Sequence, residues 1–325
     1  MRFSIIVPVY NQQSYIGECL DSVLGQAFTD YEIIAVDDGS TDGSAVVCDT
    51  YAANNGEIIK VIHQQNTGPS IARNNGVSAA EGDYIIFLDG DDILADGALD
   101  AVNDAIIRCN EPDLIVCRID RFSDDPSNTY ELDGIDGLPE SGTGDELAEY
   151  VFEKHNKFSI SPCRYAIKRS FYNSSGISFK PGLKQEDELF TPLLIAAAQS
   201  FGSCRSKYYL YRRLEGSRNN IPTIKNKLSF LTIADELLDS CSKACSAHKA
   251  AMLKKRGRYL FRRGLMEHNE VIKDGRSELI SAAAEVYSRH PEAAEDAGSL
   301  CRLIKLLGTK RGISTFLRLY GFINR

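Results

Sequence analysis

Three carboxylates within four residues, Asp89-Gly90-Asp91-Asp92, follow directly on the apolar run Ile85 to Leu88. Carboxylates this close repel one another unless a cation sits among them. A hard divalent ion, shared between one or two of them and a substrate phosphate, is the expected occupant. The plainer alternative is an acidic turn that caps a helix starting near Ala95. A second acidic turn, Asp37-Asp38-Gly39-Ser40-Thr41-Asp42, follows Tyr31 to Val36, and Asp37 or Ser40 fits helix capping as well as ligand binding. A third cluster, Glu186-Asp187-Glu188, opens an apolar stretch, where a helix dipole favours acids. A carboxylate there could serve as a general base toward a hydroxyl, but composition does not choose among the three.

The elements that must position these acids read as alternating strands and helices. Ile85 to Leu88 is a strand buried on both faces, and ligands of open α/β sheets lie beyond the carboxyl ends of strands. Asp89, Asp91 and Asp92 are therefore expected to project into a cleft. Phe3 to Tyr10 is a strand whose end Pro8 marks, and Asn11 is expected to open a helix with Ile16, Leu20, Val23 and Leu24 at helical spacing. Tyr31 to Val36, Ile58 to His63 and Asp113 to Ile119 read as further strands, the last closing the unit. Gly68 and Pro69 force a loop, and a helix from near Ser70 presents Arg73 and Asn74. This alternation predicts an α/β fold with a mostly parallel sheet wound by right-handed crossovers. No Gly-x-Gly-x-x-Gly or Walker-type loop follows the first strand, so a carboxylate-bound metal takes the place of a glycine cradle. Residues 122–146 read as a loop or short hairpin, followed by a short helix over 146–155. Cys163 to Lys168, Gly176 to Phe179 and Lys207 to Arg213 read as short strands, and the chain from Thr223 onward as amphipathic helices.

Charge is unevenly placed over the 325 residues: residues 1–150 hold 29 acids and 6 bases, residues 151–325 hold 16 acids and 31 bases. A basic second half suits an anionic substrate, a membrane surface or the acidic first half. Nine scattered cysteines without a Cys-x-x-Cys pair read as reduced apolar residues, as expected in a cytoplasmic protein. The apolar run Phe3 to Val9 is too short for an export signal, and no run is long enough to cross a bilayer. The five histidines, at 63, 155, 248, 268 and 290, show no metal-ligand spacing and receive no role. Near the C-terminus, Ile313, Phe316, Leu317, Tyr320 and Ile323 share a helical face, with Arg311, Arg318 and Arg325 at intervals of seven and no acid after Asp296. Such a helix packs on its own protein or lies on an anionic membrane surface.

Ser4-Ile-Ile-Val-Pro-Val-Tyr-Asn11, Val36-Asp-Asp-Gly-Ser-Thr-Asp42, Asn66 through Asn74, Leu88-Asp-Gly-Asp-Asp92 and Glu186-Asp187 occur in an order and spacing that resembles the family 2 glycosyltransferases. The resemblance covers about residues 3–218. It implies a GT-A fold, a nucleoside-diphosphate sugar as donor, a divalent Mn²⁺ or Mg²⁺, and transfer with inversion to a hydroxyl of a saccharide or lipid-linked acceptor, as in bacterial surface polysaccharide synthesis. Carried over position by position, it implies that Asp38 accepts from the nucleotide base, usually uracil, and that Pro8, Val9 and Tyr10 line base and ribose. By the same resemblance Arg73 is expected to flank the base or the phosphates, Asp89 to be the ribose-side carboxylate, Asp91 to bind the metal and Asp187 to be the catalytic base. Gly90 stands where relatives often have Ala or Ser, a change expected to matter little, and Arg212 and Arg213 match basic residues near the diphosphate only loosely.

The expected organisation is a donor-binding half over 1–121, an acceptor-binding half over 122–218 and a helical region over 219–325. Nucleic acid is not an expected partner, and contact with the inner face of a membrane would run through the last helix. Two competing readings are a sugar-nucleotide nucleotidyltransferase, which needs a basic glycine-rich loop where Tyr10-Asn-Gln-Gln13 stands, and a nucleotide-sugar-binding protein without catalysis.

Overall fold

A computed structural model of the chain describes residues 1–123, 125–132, 135–154, 159–213, 223–266, 272–295 and 298–323. His155, His268, Asp296 and Arg325, all named in the sequence reading, lie outside the described residues, as do Asp124 within the expected 122–146 loop and residues 214–218 at the end of the resemblance. The chain divides into two units, one of Met1–Gly182 with Ala197–Glu215, the other of Leu183–Ala196 with Gly216–Arg325.

The first unit is built on a ten-stranded sheet. Its strands are β1 (Phe3–Val9), β2 (Tyr31–Asp37), β3 (Ile59–His63), β4 (Tyr84–Phe87), β5 (Ile93–Leu94), β6 (Leu114–Phe122), β7 (Tyr130–Glu131), β8 (Ser141–Thr143), β9 (Tyr165–Lys168) and β10 (Ser200–Arg212). Helices α1 (Ile16–Leu24), α2 (Ser44–Asn54), α3 (Pro69–Ala79), α4 (Ala98–Arg108), α5 (Gly144–Glu149) and α6 (Arg169–Ser175) connect or flank them. The apolar runs of β1, β2 and β4 are buried along almost their whole length, as sheet covered on both faces requires. A Cβ on Gly76 would lie 2.3 Å from Ile6 Cγ2, so the missing side chain is what lets α3 settle onto β1.

The strands run in the order β3-β2-β1-β4-β9-β6-β10-β5. The first four pair in parallel, as the alternating pattern predicts. The sheet is nevertheless mixed, because β9 slots antiparallel between β4 and β6, while β5, β7 and β8 pair antiparallel at β10 and β6. Strand β6 is consequently interior and does not close the unit. The two antiparallel steps around β9 cancel, and β10 is parallel to β6. The C-terminal ends of β4 and β10 therefore face the same edge of the sheet, although the two strands are more than a hundred residues apart.

Two local expectations need correcting. Gly176 to Phe179 forms no strand, and Asn74 holds it instead: its amide donates to the Phe179 carbonyl at 2.8 Å and accepts from the Phe179 N–H at 3.0 Å. Asn11 does not open a helix, since α1 starts at Ile16 and Asn11 sits in a left-handed turn at φ 53°. Its side-chain oxygen accepts the Thr41 N–H at 2.8 Å and so ties the two acidic-turn neighbours together.

The second unit is helical, with α7 (Asp187–Ala197, of which Ala197 belongs to the first unit), α8 (Ile224–Ser240), α9 (Ala247–Met266), α10 (Ile272–Arg289), α11 (Gly298–Leu307) and α12 (Thr309–Ile323). Leu231, Leu237, Phe261, Leu265, Leu279 and Ala283 are fully buried in it. Ile313, Phe316 and Leu317 of α12 are also buried, so this part of its apolar face packs on protein; the Tyr320 and Ile323 side chains lie outside the described residues.

Candidate functional site

The turn after β2 is fully furnished by the protein. Asp38 is 3% exposed, and its carboxylate accepts the Gln64 amide at 2.7 Å and the backbone N–H groups of Thr67 and Gly68, each at 2.8 Å. Its own N–H donates to Val9 at 2.8 Å, fixing the turn to the end of β1. Pro8 pairs with Val36 within the sheet, Val9 is buried, and Tyr10 is 41% exposed. Gly39, at φ 68°, would bring a Cβ within 2.8 Å of the Asn66 nitrogen, so only glycine fits this crossing of two loops.

Next to Asp38, Asp37 accepts the Ser40 N–H at 3.0 Å and meets His63 Nδ1 at 3.1 Å, while His63 Nε2 lies 2.9 Å from Asp49. Burial alone would raise the Asp37 carboxyl, but hydrogen bonds from Ser40 and His63 outweigh it and hold it below its ordinary value. The same carboxylate, followed by Asp49, raises the His63 imidazole.

The turn after β4 is furnished differently. Asp89 accepts from Arg73 Nη2 at 2.8 Å, and Arg73, 6% exposed, lies with its guanidinium 5.2 Å from the centre of the Phe179 ring. Asn74 is what places that ring, through its clamp on the Phe179 backbone. Among the described residues no side chain donates to the Asp91 carboxylate. Burial first, and then the charge of Asp89, push Asp91 up to about 6, against the pull of its own N–H and of Arg212.

Asp92 departs from the cleft position expected of all three acids. It is 2% exposed and accepts the Tyr209 hydroxyl at 2.5 Å and the Arg212 N–H at 2.7 Å. Burial and the neighbouring acids raise it well above its ordinary value, so it belongs to the frame of the turn. At Gly90 a Cβ would fall 2.4 Å from Gln12 Oε1, the far end of a flexible side chain that can give way, in keeping with a small effect of Ala or Ser there.

Arg212 comes from the far end of β10. Its Nε donates to the Asp91 carbonyl at 2.9 Å and Nη2 to Glu18 at 2.5 Å, and its guanidinium lies 4.5 Å from the Phe122 ring centre and 5.2 Å from that of Tyr15. Arg213 is exposed and reaches this region only through its N–H, which donates to Phe122 at 2.8 Å. Tyr209, Glu18, Phe179, Gln64 and Thr67 carried no sequence signal of their own, since each acts through a partner remote in sequence.

Asp187 is the first residue of α7 and belongs to the second unit. Its Oδ1 accepts the Glu188 N–H at 3.0 Å, an ordinary start for a helix. Glu188, 6% exposed, pairs with Arg256 and, at 3.2 Å, with Arg263, both from α9. Of the three acids that composition could not separate, Glu188 is thus committed to two guanidinium groups.

A family model described as "Glycosyl transferase family 2" matches residues 4–175. The glycosyltransferase EpsJ of Bacillus subtilis is 34% identical over 224 residues, which cover 67% of this chain and 63% of that protein. The chain thus spans less than two thirds of that relative's length. GlyG of Streptococcus pneumoniae is 29% identical over 66% of this chain and 71% of its own length. A poly(ribitol-phosphate) beta-glucosyltransferase of Bacillus spizizenii is 30% identical over 66% of this chain but 33% of its own. In fold, the chain resembles residues 1–349 of TarS from S. aureus, crystallised with UDP-GlcNAc, with a TM-score of 0.77 at 22% identity over all of this chain and 92% of that one.

Proposed function

The chain belongs to glycosyl transferase family 2, and from that premise we propose that it is an inverting glycosyltransferase. It moves a sugar from a nucleoside-diphosphate donor, in our reading a UDP-sugar, to a hydroxyl of a saccharide or lipid-linked acceptor during surface polysaccharide synthesis. The observation that carries this reading is the Asp91 carboxylate at the mouth of β4, partly buried beside Asp89, facing the charge of Arg212 and without a side-chain donor among the described residues.

The donor set fits a hard divalent cation. A carboxylate without a side-chain donor among the described residues, held beside a second carboxylate, is the ligand type that Mg²⁺ or Mn²⁺ takes together with a substrate phosphate. When bound there, such an ion supplies charge neutralisation at a departing diphosphate. Asp89, held by Arg73, orients the ribose, while Asp38 and the Pro8 to Tyr10 backbone receive the base. Asp187 takes the proton of the acceptor hydroxyl as its oxygen forms a bond to the anomeric carbon and the bond to the diphosphate oxygen breaks on the opposite side. The proton ends on Asp187, the bonding electrons on the leaving diphosphate.

Among the described residues no helix is long and apolar enough to cross a membrane. Peripheral attachment through α12 would have to use what its buried Ile313, Phe316 and Leu317 leave over, and the site of action at the inner face of a membrane is part of the proposal. Vesicle flotation of the full chain and of a chain ending at Gly308 tests it; recovery of both in the soluble fraction refutes attachment.

A thermal-shift screen of nucleoside diphosphates and their sugars, with and without Mn²⁺, tests the donor reading. Uridine compounds are expected to raise the melting temperature through mass action, more so with the metal, and a flat response across all nucleotides would overturn the reading. With the donor in hand, Asp187→Asn is expected to lose transfer by about 10²–10⁴ while still binding nucleotide.

A further inference from the structure

Helix α8 places Asp235 and Asp239 four residues apart on one face, and the residue just past α10 is His290. The His290 Nε2 lies 3.1 Å from Asp239 Oδ1 and 3.5 Å from Asp235 Oδ1. Donors bound to one transition-metal ion at about 2.0–2.2 Å sit about 3.0–3.5 Å from one another; both distances from the histidine match that spacing, and all three donor atoms lie within 4.8 Å of one another. A hydrogen-bond network does not explain it as well. Asp235 and His290 are 8% and 9% exposed, and among the described residues His290 Nε2 and Asp235 Oδ1 are buried atoms that make no well-directed hydrogen bond, although they lie at ion-pair distance from their neighbours.

The surroundings complete a metal-type arrangement. His290 Nδ1 lies 3.7 Å from Glu292, which places a further carboxylate on the outer side of the ring. Arg289 pairs with the opposite oxygens, Asp235 Oδ2 and, at 3.5 Å, Asp239 Oδ2, leaving both Oδ1 atoms turned toward the histidine. Three acids against one arginine leave a net negative charge that a divalent ion would neutralise. The Asp239 side chain is 54% exposed, so the cluster is open to solvent on that side.

We propose that Asp235, Asp239 and His290 form a second metal site, selective for a borderline ion such as Zn²⁺ over Mg²⁺, which ties α8 to the turn after α10. It is independent of the donor site proposed above.

The test is calorimetric titration of the chelator-treated full chain with Zn²⁺ alone, without nucleotide, in an Asp91→Asn parent. One equivalent is expected to bind. His290→Gln and Asp239→Asn should each weaken it at least tenfold, and Arg289→Met, which removes a competing cation, should tighten it. The tightening cannot come from misfolding, which separates the site from a variant that merely unravels. Absence of binding in the parent, affinity unmoved by His290→Gln and Asp239→Asn, or no tightening in Arg289→Met overturns the proposal.

Discussion

The turns after β2 and β4 both end parallel strands in acids, yet they are built on opposite principles. Asp38 has every near donor it can use, from Gln64, Thr67 and Gly68, and these bonds hold the 64–68 loop. Asp91 has burial and a neighbouring negative charge, and no side-chain donor among the described residues. The contrast teaches that an acid that organises a loop and an acid that waits for a ligand are told apart by their donors. Their position at a strand end is the same.

The comparison can be broken by substituting each acid. Asp91→Asn is expected to reduce transfer by on the order of 10³-fold or more in initial-rate assays, because the charge that develops on the leaving group loses several kcal/mol of stabilisation. The same variant should raise the stability of the metal-free protein by about 1–2 kcal/mol, since a buried carboxylate with a raised pKa opposes folding at neutral pH. Transfer at the wild-type rate would end the metal reading.

Asp38→Asn should do the reverse to stability, lowering it by about 2–4 kcal/mol in denaturant unfolding, because one amide oxygen cannot serve the Thr67 and Gly68 N–H groups as a carboxylate does. Equal stability changes in the two variants would erase the contrast. Asn74→Ala should cost about 1–2 kcal/mol by freeing both Phe179 backbone groups and, by releasing the ring under Arg73, should weaken nucleotide affinity. A variant with unchanged affinity would show that Arg73 is held well enough by Asp89 alone.

The smallest effect concerns pH. His63 is raised by Asp37 and then Asp49, so its contribution is complete below about 6.5, its unfolded value, and fades as pH rises through its folded one. The pair is about half exposed on the histidine side, which limits the effect to a few tenths of a kcal/mol. The melting temperature of the wild type minus that of His63→Gln should shrink between pH 6 and 8; a gap that widens would reverse the assignment.

Much of the first unit could be read from residues alone. Strands β1, β2 and β4 are legible because sheet covered on both faces demands unbroken apolar runs, and α3 because Gly68 precedes it and Pro69 opens it. Partners were not legible. Nothing in Tyr165 to Lys168 says that it inserts between β4 and β6, and this insertion is what turns a parallel sheet into a mixed one. Asp92 looked like Asp91 because what separates them is Tyr209, 117 residues away. Gly176 to Phe179 has strand composition, but the Phe179 backbone groups bond the Asn74 side chain and the Ile177 N–H bonds Ser175, choices that override propensity. His290 failed a spacing rule because its companions sit on another helix.

The reversal around β9 also orders events on the ribosome. Until the codons for Tyr209 and Arg212 have been translated, the emerging polypeptide contains Asp92 without the two groups that neutralise its burial. At about 5–20 residues per second, the delay between the two ends lasts several seconds, during which the acidic turn after β4 lacks both partners. Truncations ending before residue 200 should therefore be recovered as degraded or aggregated chains.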